Sequence, residues 1–207
     1  QYPIDVVIVA VKSFDTPTVA GHLKPYREQI SAVLSLQNGV ENEVVLAEFL
    51  GNERVIAGTL TSAIAKKETG RVVLEKKRGV GIASGQPISK KIVDSFNSAG
   101  LNARLYPHAG EMKWSKLLTN LLANATSAIL DLSPAEIFSH PLLFKIETEQ
   151  VREAVRVMKK LGYRVVDLPG TPVRLLSYLF HSVPAGIARR IAGKTLAAGR
   201  GGKMPSF

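Results

Sequence analysis

Cysteine is absent from all 207 residues. Its absence excludes disulfides, thiolate catalysis and cysteine-ligated zinc, and it fits a reducing cytoplasm. Aromatic residues are scarce, at 6%, and are not interleaved with the basic clusters, which argues against a nucleic-acid-reading surface. Long apolar runs are missing too. The run at residues 4–11 is broken by Asp5 and falls far short of the roughly 20 apolar residues that cross a bilayer. No basic leader precedes it and no methionine starts the chain. A chain that opens directly in a strand is expected to be a fragment.

Acidic side chains are outnumbered, 17 against 27 basic ones, which leaves a net charge of +10. Such a field draws anions, whether phosphorylated cofactors, carboxylate substrates or nucleic acid. The clusters Lys66-Lys67, Lys76-Lys77-Arg78, Arg189-Arg190 and residues 200–203 also suit plain solvated surface. Hydrophobic residues make up 45% and charged residues 21%, an ordinary balance for a globular protein with its own core.

The run DVVIVAV (residues 5–11) is β-branched without alternation, the pattern of a strand buried on both faces. A helix is predicted over residues 16–29, a strand over 32–36, a helix over 41–49 and a strand over 55–61. This β-α-β-α-β order predicts a parallel sheet with right-handed crossovers. Residues 70–75 and 79–83 are expected to pair as a hairpin around Lys76, Lys77 and Arg78. A helix over 88–98 and a strand over 101–105 close the α/β part. Strand signals then stop. Residues 111–130 contain neither Gly nor Pro and predict one long helix. Further helices are expected over 141–161, 172–180 and 184–198, with Pro and Gly at their ends, and a basic, glycine-rich loop over 199–205. The chain is expected to divide near Tyr106-Pro107, into residues 1–106 and 107–207.

The expected helix 111–130 carries Lys116, Asn120 and Asn124 at i, i+4 and i+8. On an unbroken helix these form one polar stripe about 12 Å long. The flanking Leu117, Leu118, Leu121, Leu122, Ala123 and Ala125 are apolar, so the stripe needs partners. A buried network of the protein's own groups supplies them, or a bound anionic ligand with hydroxyl groups does. The turn Gln37-Asn38-Gly39 and Lys12 each follow a predicted parallel strand, where ligands collect in open α/β sheets. Taken alone, Asn-Gly is first of all a common turn pair, and Lys12 also suits a solvent-facing lysine.

Three segments occur in order: AVKS (residues 10–13), LQNGV (36–40) and KWSKLLTNLLAN (113–124). Together they resemble the ketopantoate reductase (2-dehydropantoate 2-reductase) family over nearly the whole chain, most specifically through Trp114, Lys116, Asn120 and Asn124. The resemblance implies an α/β plus all-α fold. The carboxyl-terminal portion of a Rossmann-type, NADP(H)-binding domain (1–106) would precede a helical 6-phosphogluconate-dehydrogenase-like domain for substrate binding and dimerisation (107–207). It implies reduction of 2-dehydropantoate to pantoate in pantothenate biosynthesis, without a metal. The apolar faces of the helical part predict a homodimer through those helices, in the cytoplasm that the lack of cysteine fits. Lys116 matches the family's catalytic lysine. Asn120, Asn124 and Ser206 match substrate-binding positions, Asn38 a position between nicotinamide and substrate, and Lys12 and Ala63 positions near the cofactor.

Two family features are missing from the 207 residues: the G-x-G-x-x-G phosphate loop and a glutamate beyond Ser206. Gly79-Val80-Gly81 is no substitute for the loop, because no helix start follows it. The chain by itself is therefore expected to be inactive. Two other readings share these sequences. One is another NAD(P)-dependent 2-oxo-acid or opine-type dehydrogenase of the same fold. The other is a non-catalytic helical dimerisation or interaction protein.

Overall fold

The computed structural model describes residues 3–184, 186, 187 and 189; Ser206 and most of the predicted helix 184–198 lie outside them. The chain divides into two compact units. One comprises Gln1–Lys116 with Leu168–Thr171, the other Leu117–Asp167 with Pro172–Phe207. The five-stranded sheet followed by a run of helices is the architecture the sequence predicts.

In the first unit, strands β1 (Ile4–Val9), β2 (Ile30–Ser35) and β3 (Val55–Leu60) are parallel neighbours. Helices α1 (Thr16–Leu23) and α2 (Asn42–Leu50) are the crossovers between them. The predicted helix over 16–29 is α-helical only to Leu23 and continues as a 3-10 segment, Lys24–Gln29, since Pro25 removes an amide donor from the ladder. Alternate residues of β2 feed two cores. Ala32 and Leu34 pack with Ile56, Ile82 and Ile92, whereas Val33 packs with Val9, Ala20, Leu46 and Leu50. Opposite side-chain directions along a strand dictate this division.

The predicted hairpin is corrected. Strand β4 (Ala63–Glu68) pairs with β5 (Arg71–Lys76) across the Thr69-Gly70 turn. Strand β6 (Val80–Ala83) instead enters the main sheet antiparallel to β3, and β7 (Ala103–Tyr106) runs parallel to β6. Ala, Lys and Glu in AIAKKE carry weak strand preference, so the sequence hid β4. Helix α3 (Ser89–Ser98) covers β6 and β7 through Ile92 and Val93.

The predicted helix 111–130 is also corrected. It is two helices, α4 (Ala109–Leu121) and α5 (Asn124–Leu130), separated by Ala123 in the left-handed conformation at φ +58°. The second unit continues with α6 (Pro134–Ser139), α7 (Pro141–Lys160) and α8 (Val173–Ser182). Helix α6, which the sequence reading did not anticipate, starts in a capping box between Ser133 and Glu136. Phe144 of α7 stacks on Phe180 at 5.4 Å and meets Phe138 edge-on at 6.3 Å. Arg152 donates to the carbonyls of Phe180 and Val183 at 3.1 and 3.2 Å. It thereby satisfies acceptors that the end of α8 leaves open. Among the described residues, no helix is long and apolar enough to cross a membrane.

Candidate functional site

Strands β1 and β2 end side by side, and each delivers an expected site residue into a turn. Lys12 is exposed and extended at the start of the 3-10 turn Ser13–Asp15. Asn38 is exposed in the turn after β2. One side chain ties these turns together. Gln37, only 3% exposed, donates from Nε2 to Val11 O (3.0 Å) and to Thr16 Oγ1 (2.7 Å). The Thr16 hydroxyl donates to Asn42 Oδ1, and Asn42 Nδ2 donates to Asn38 O at 2.7 Å. Ser13 Oγ donates to the same carbonyl at 3.1 Å. Buried polar groups need such partners, and here they hold the main chain at residue 38 from two directions.

A third hold comes from α4. Lys113 is 4% exposed, and its ammonium donates to Gln37 O (2.8 Å), Glu43 Oε1 (2.8 Å) and Gly58 O (3.3 Å). An ammonium has three donors, and all three find an acceptor here. Sequence reasoning assigned no role to Lys113, Thr16, Asn42 or Glu43. The legible hint was a lysine adjacent to apolar Met112 and Trp114.

Lys116 and Asn120 are half-buried on α4, and Asn124 opens α5. The structure therefore keeps Lys116 and Asn120 one helical turn apart but takes Asn124 off their continuous stripe. The break is held by Glu147, fully buried on α7. Its carboxylate accepts from Ala123 N at 2.6 Å and from the Thr126 hydroxyl. Ala63 is half-buried at the start of β4 and pairs with Lys76.

The profile of the ketopantoate reductase PanE/ApbA family matches residues 1–86, and that of its carboxyl-terminal domain matches residues 109–184. The chain belongs to the ketopantoate reductase family. Among curated relatives it is 30% identical to the 2-dehydropantoate 2-reductase of Halobacterium salinarum over 171 residues, which is 79% of this chain and 55% of that protein. The chain thus spans about half the length of the curated reductases it matches. Its fold is shared with a PanE/ApbA family ketopantoate reductase from Ralstonia eutropha JMP134, with a TM-score of 0.71 and 24% identity over 96% of this chain and 60% of that one. D-mandelate dehydrogenase, solved with NADH and anilino(oxo)acetate, gives a TM-score of 0.74 and 18% identity over 100% of this chain and 62% of that one.

The strand-end turns lie where open α/β sheets bind ligands, and they present an exposed cation beside a glycine turn. Gly39 has φ +100°, and a Cβ there would stand 3.1 Å from Asn42 Nδ2 and 3.4 Å from Ser13 Oγ. Glycine therefore fits this turn through its positive φ and through the space that those two side chains take. The adjacent Lys12 offers an exposed cation, the complement of a phosphate or ribose-bearing ligand.

Proposed function

We propose that the protein containing this chain reduces 2-dehydropantoate to pantoate, a step of pantothenate biosynthesis, with NADPH as hydride donor. The carrying observation is the Asn38 turn at the carboxyl end of β2, held by Gln37, Asn42 and Lys113, in a chain of this family. In open α/β sheets, ligands bind outside those strand ends. In this reading residues 1–106 hold the cofactor, with Lys12, Asn38 and Ala63 against it. Residues 107–207 bind substrate through Asn120, Asn124 and Ser206, and Asn38 faces both ligands.

The cofactor, when bound, supplies a hydride to the C2 carbonyl carbon. Negative charge then grows on the carbonyl oxygen. Lys116 Nζ stabilises that oxygen and donates the proton that makes it a hydroxyl. Asn120 and Asn124 orient the substrate by hydrogen bonds without adding charge. The net charge of +10 favours arrival of an anionic acid and a phosphorylated cofactor.

The protein works in the cytoplasm as a homodimer formed through its helical part. Helix α7 leaves Leu142, Ile146 and Val157 exposed, as is Leu161 just past its end, and α8 leaves Leu175 and Tyr178 exposed. An apolar surface of this kind is what a symmetric interface covers. Light scattering on the complete protein at micromolar concentration should give twice the monomer mass, and a monomer would remove this element.

The deciding experiment is NADPH oxidation with 2-dehydropantoate by the complete protein and its Lys116→Ala variant. Loss of the proton donor should lower kcat by about a hundredfold or more. Turnover of other 2-oxo acids in place of 2-dehydropantoate would favour the second reading, a dehydrogenase of the same mechanism and different substrate, as the shared fold with D-mandelate dehydrogenase allows. No oxidation with any 2-oxo acid would leave the non-catalytic interaction protein.

A further inference from the structure

Lys113 is a costly residue to bury. Taking an ammonium and a carboxylate out of water is recovered only through close pairing and full hydrogen bonding. An apolar pair of the same volume would serve packing alone at no loss. The chain nevertheless places Lys113 at 4% exposure against Glu43 at 17%, 2.8 Å apart.

The location of its acceptors gives the reason. Gln37 O is the carbonyl immediately before Asn38, Glu43 lies in the first turn of α2, and Gly58 O is in the middle of β3. One ammonium thus spans the end of β2, the start of α2 and the neighbouring strand. Lys113 also stands three residues before Lys116 on the same helix, a rise of about 4.5 Å. The turn before Lys116 is seated a second time by Met112, fully buried against β6. A Cβ on Gly81 would come within 2.7 Å of its sulfur. Met112 supplies contact, whereas Lys113 supplies directional bonds. A hydrophobic contact tolerates sliding, but an ammonium with three acceptors fixes position.

We propose that Lys113 is a positioning residue. Through Gln37 O and Glu43 it fixes the Asn38 turn relative to the stretch of α4 that ends at Lys116, so that the cofactor-side amide and the proton donor keep one spacing. This inference rests on the roles proposed above for Asn38 and Lys116. A misplacement of about 1 Å in such an arrangement can cost on the order of a hundredfold in rate.

The test uses the complete protein with Lys113→Met, Glu43→Leu and the double substitution. Lys113→Met takes the donor from the Glu43 carboxylate and from the carbonyls of Gln37 and Gly58, Glu43→Leu strands the ammonium, and each should lower Tm. The double variant replaces the ion pair with apolar groups and should recover part of the Tm lost in Lys113→Met, the carbonyls of Gln37 and Gly58 still lacking the ammonium. Its kcat should nevertheless stay about tenfold or more below wild type, with KM for the 2-oxo acid within about threefold. A double variant that regains both Tm and wild-type kcat would show the pair to be structural only and would overturn the proposal. If the wild type reduces no 2-oxo acid, the proposed function fails separately. Deuterium uptake by the peptide covering residues 36–42 then decides for Lys113: faster uptake in the refolded double variant supports the clamp, and unchanged uptake overturns it.

Discussion

The carboxylate of Glu147 accepts a hydrogen bond from the backbone N–H of Ala123 at 2.6 Å, across 24 residues of sequence. That N–H opens α5, and helix starts leave their first amides without intrahelical acceptors. A buried acid therefore does the capping that a local Ser or Asp usually does. Glu147→Leu would strand both this amide and the Thr126 hydroxyl. It should destabilise the fold by about 2–3 kcal/mol, and Glu147→Gln, which keeps one acceptor oxygen, by about half as much. Urea unfolding midpoints measure both. A leucine variant as stable as wild type would mean that the carboxylate does not hold the break.

Ala123 itself sits at φ +58°, where an L-residue with a Cβ is disfavoured by about 1–2 kcal/mol. Ala123→Gly should therefore stabilise the protein, by up to about 1 kcal/mol after the greater freedom of glycine in the unfolded chain is set against it. Ala123→Val should do the opposite. A destabilised glycine variant in thermal unfolding would show that the chain does not turn left-handed here.

The seat of α4 on the sheet predicts a steric effect at Gly81. Besides the Met112 sulfur, a Cβ there would meet Thr59 Cγ2 and Tyr106 Cε2 at 3.1 Å. Gly81→Val should cost about 1–3 kcal/mol through overpacking. A calorimetric scan with an unchanged Tm would contradict the close approach.

Glu136 should titrate below the ordinary carboxylate range. The Ser133 hydroxyl beside it is the largest cause, the Ser133 backbone N–H the next, and both favour the ionised acid. A carboxyl whose folded pKa is depressed adds stability above its unfolded pKa, and that contribution is lost as pH falls through the folded value. Carbon-detected NMR of Glu136 should show its midpoint return toward the ordinary range in Ser133→Ala. An unmoved midpoint would remove the hydroxyl as the cause.

The parallel strands and their crossovers were legible because the β-branched run Val6 to Val9 and the apolar Ala32 to Leu34 favour strands. The expected burial on both faces holds for β2 and not for β1, which lies outermost in the strand order and leaves Ile8 51% exposed. The strand-end turns were legible for the same reason, since the strands locate them. What stayed hidden depended on distant partners. No local signal breaks the helix after Leu121, because Ala and Leu are good helix formers and the cause, Glu147, lies on α7. Likewise β6 was assigned to the wrong partner because its antiparallel pairing with β3 is decided by the sheet rather than by the turn before it. Lys113 stood within the recognised KWSKLLTNLLAN segment, yet its role was invisible without Gln37 O and Glu43.

The Gln37 amide, bonded at once to Val11 O and Thr16 Oγ1, makes the loops after β1 and β2 a single unit of inheritance. A chimera that transplants the segment around Lys12 from a relative, leaving residues 37–42 native, would bring a foreign backbone to a fixed amide. Retuning of ligand preference at this rim is therefore expected to proceed by paired exchanges, with Thr16, Gln37 and Asn42 travelling together.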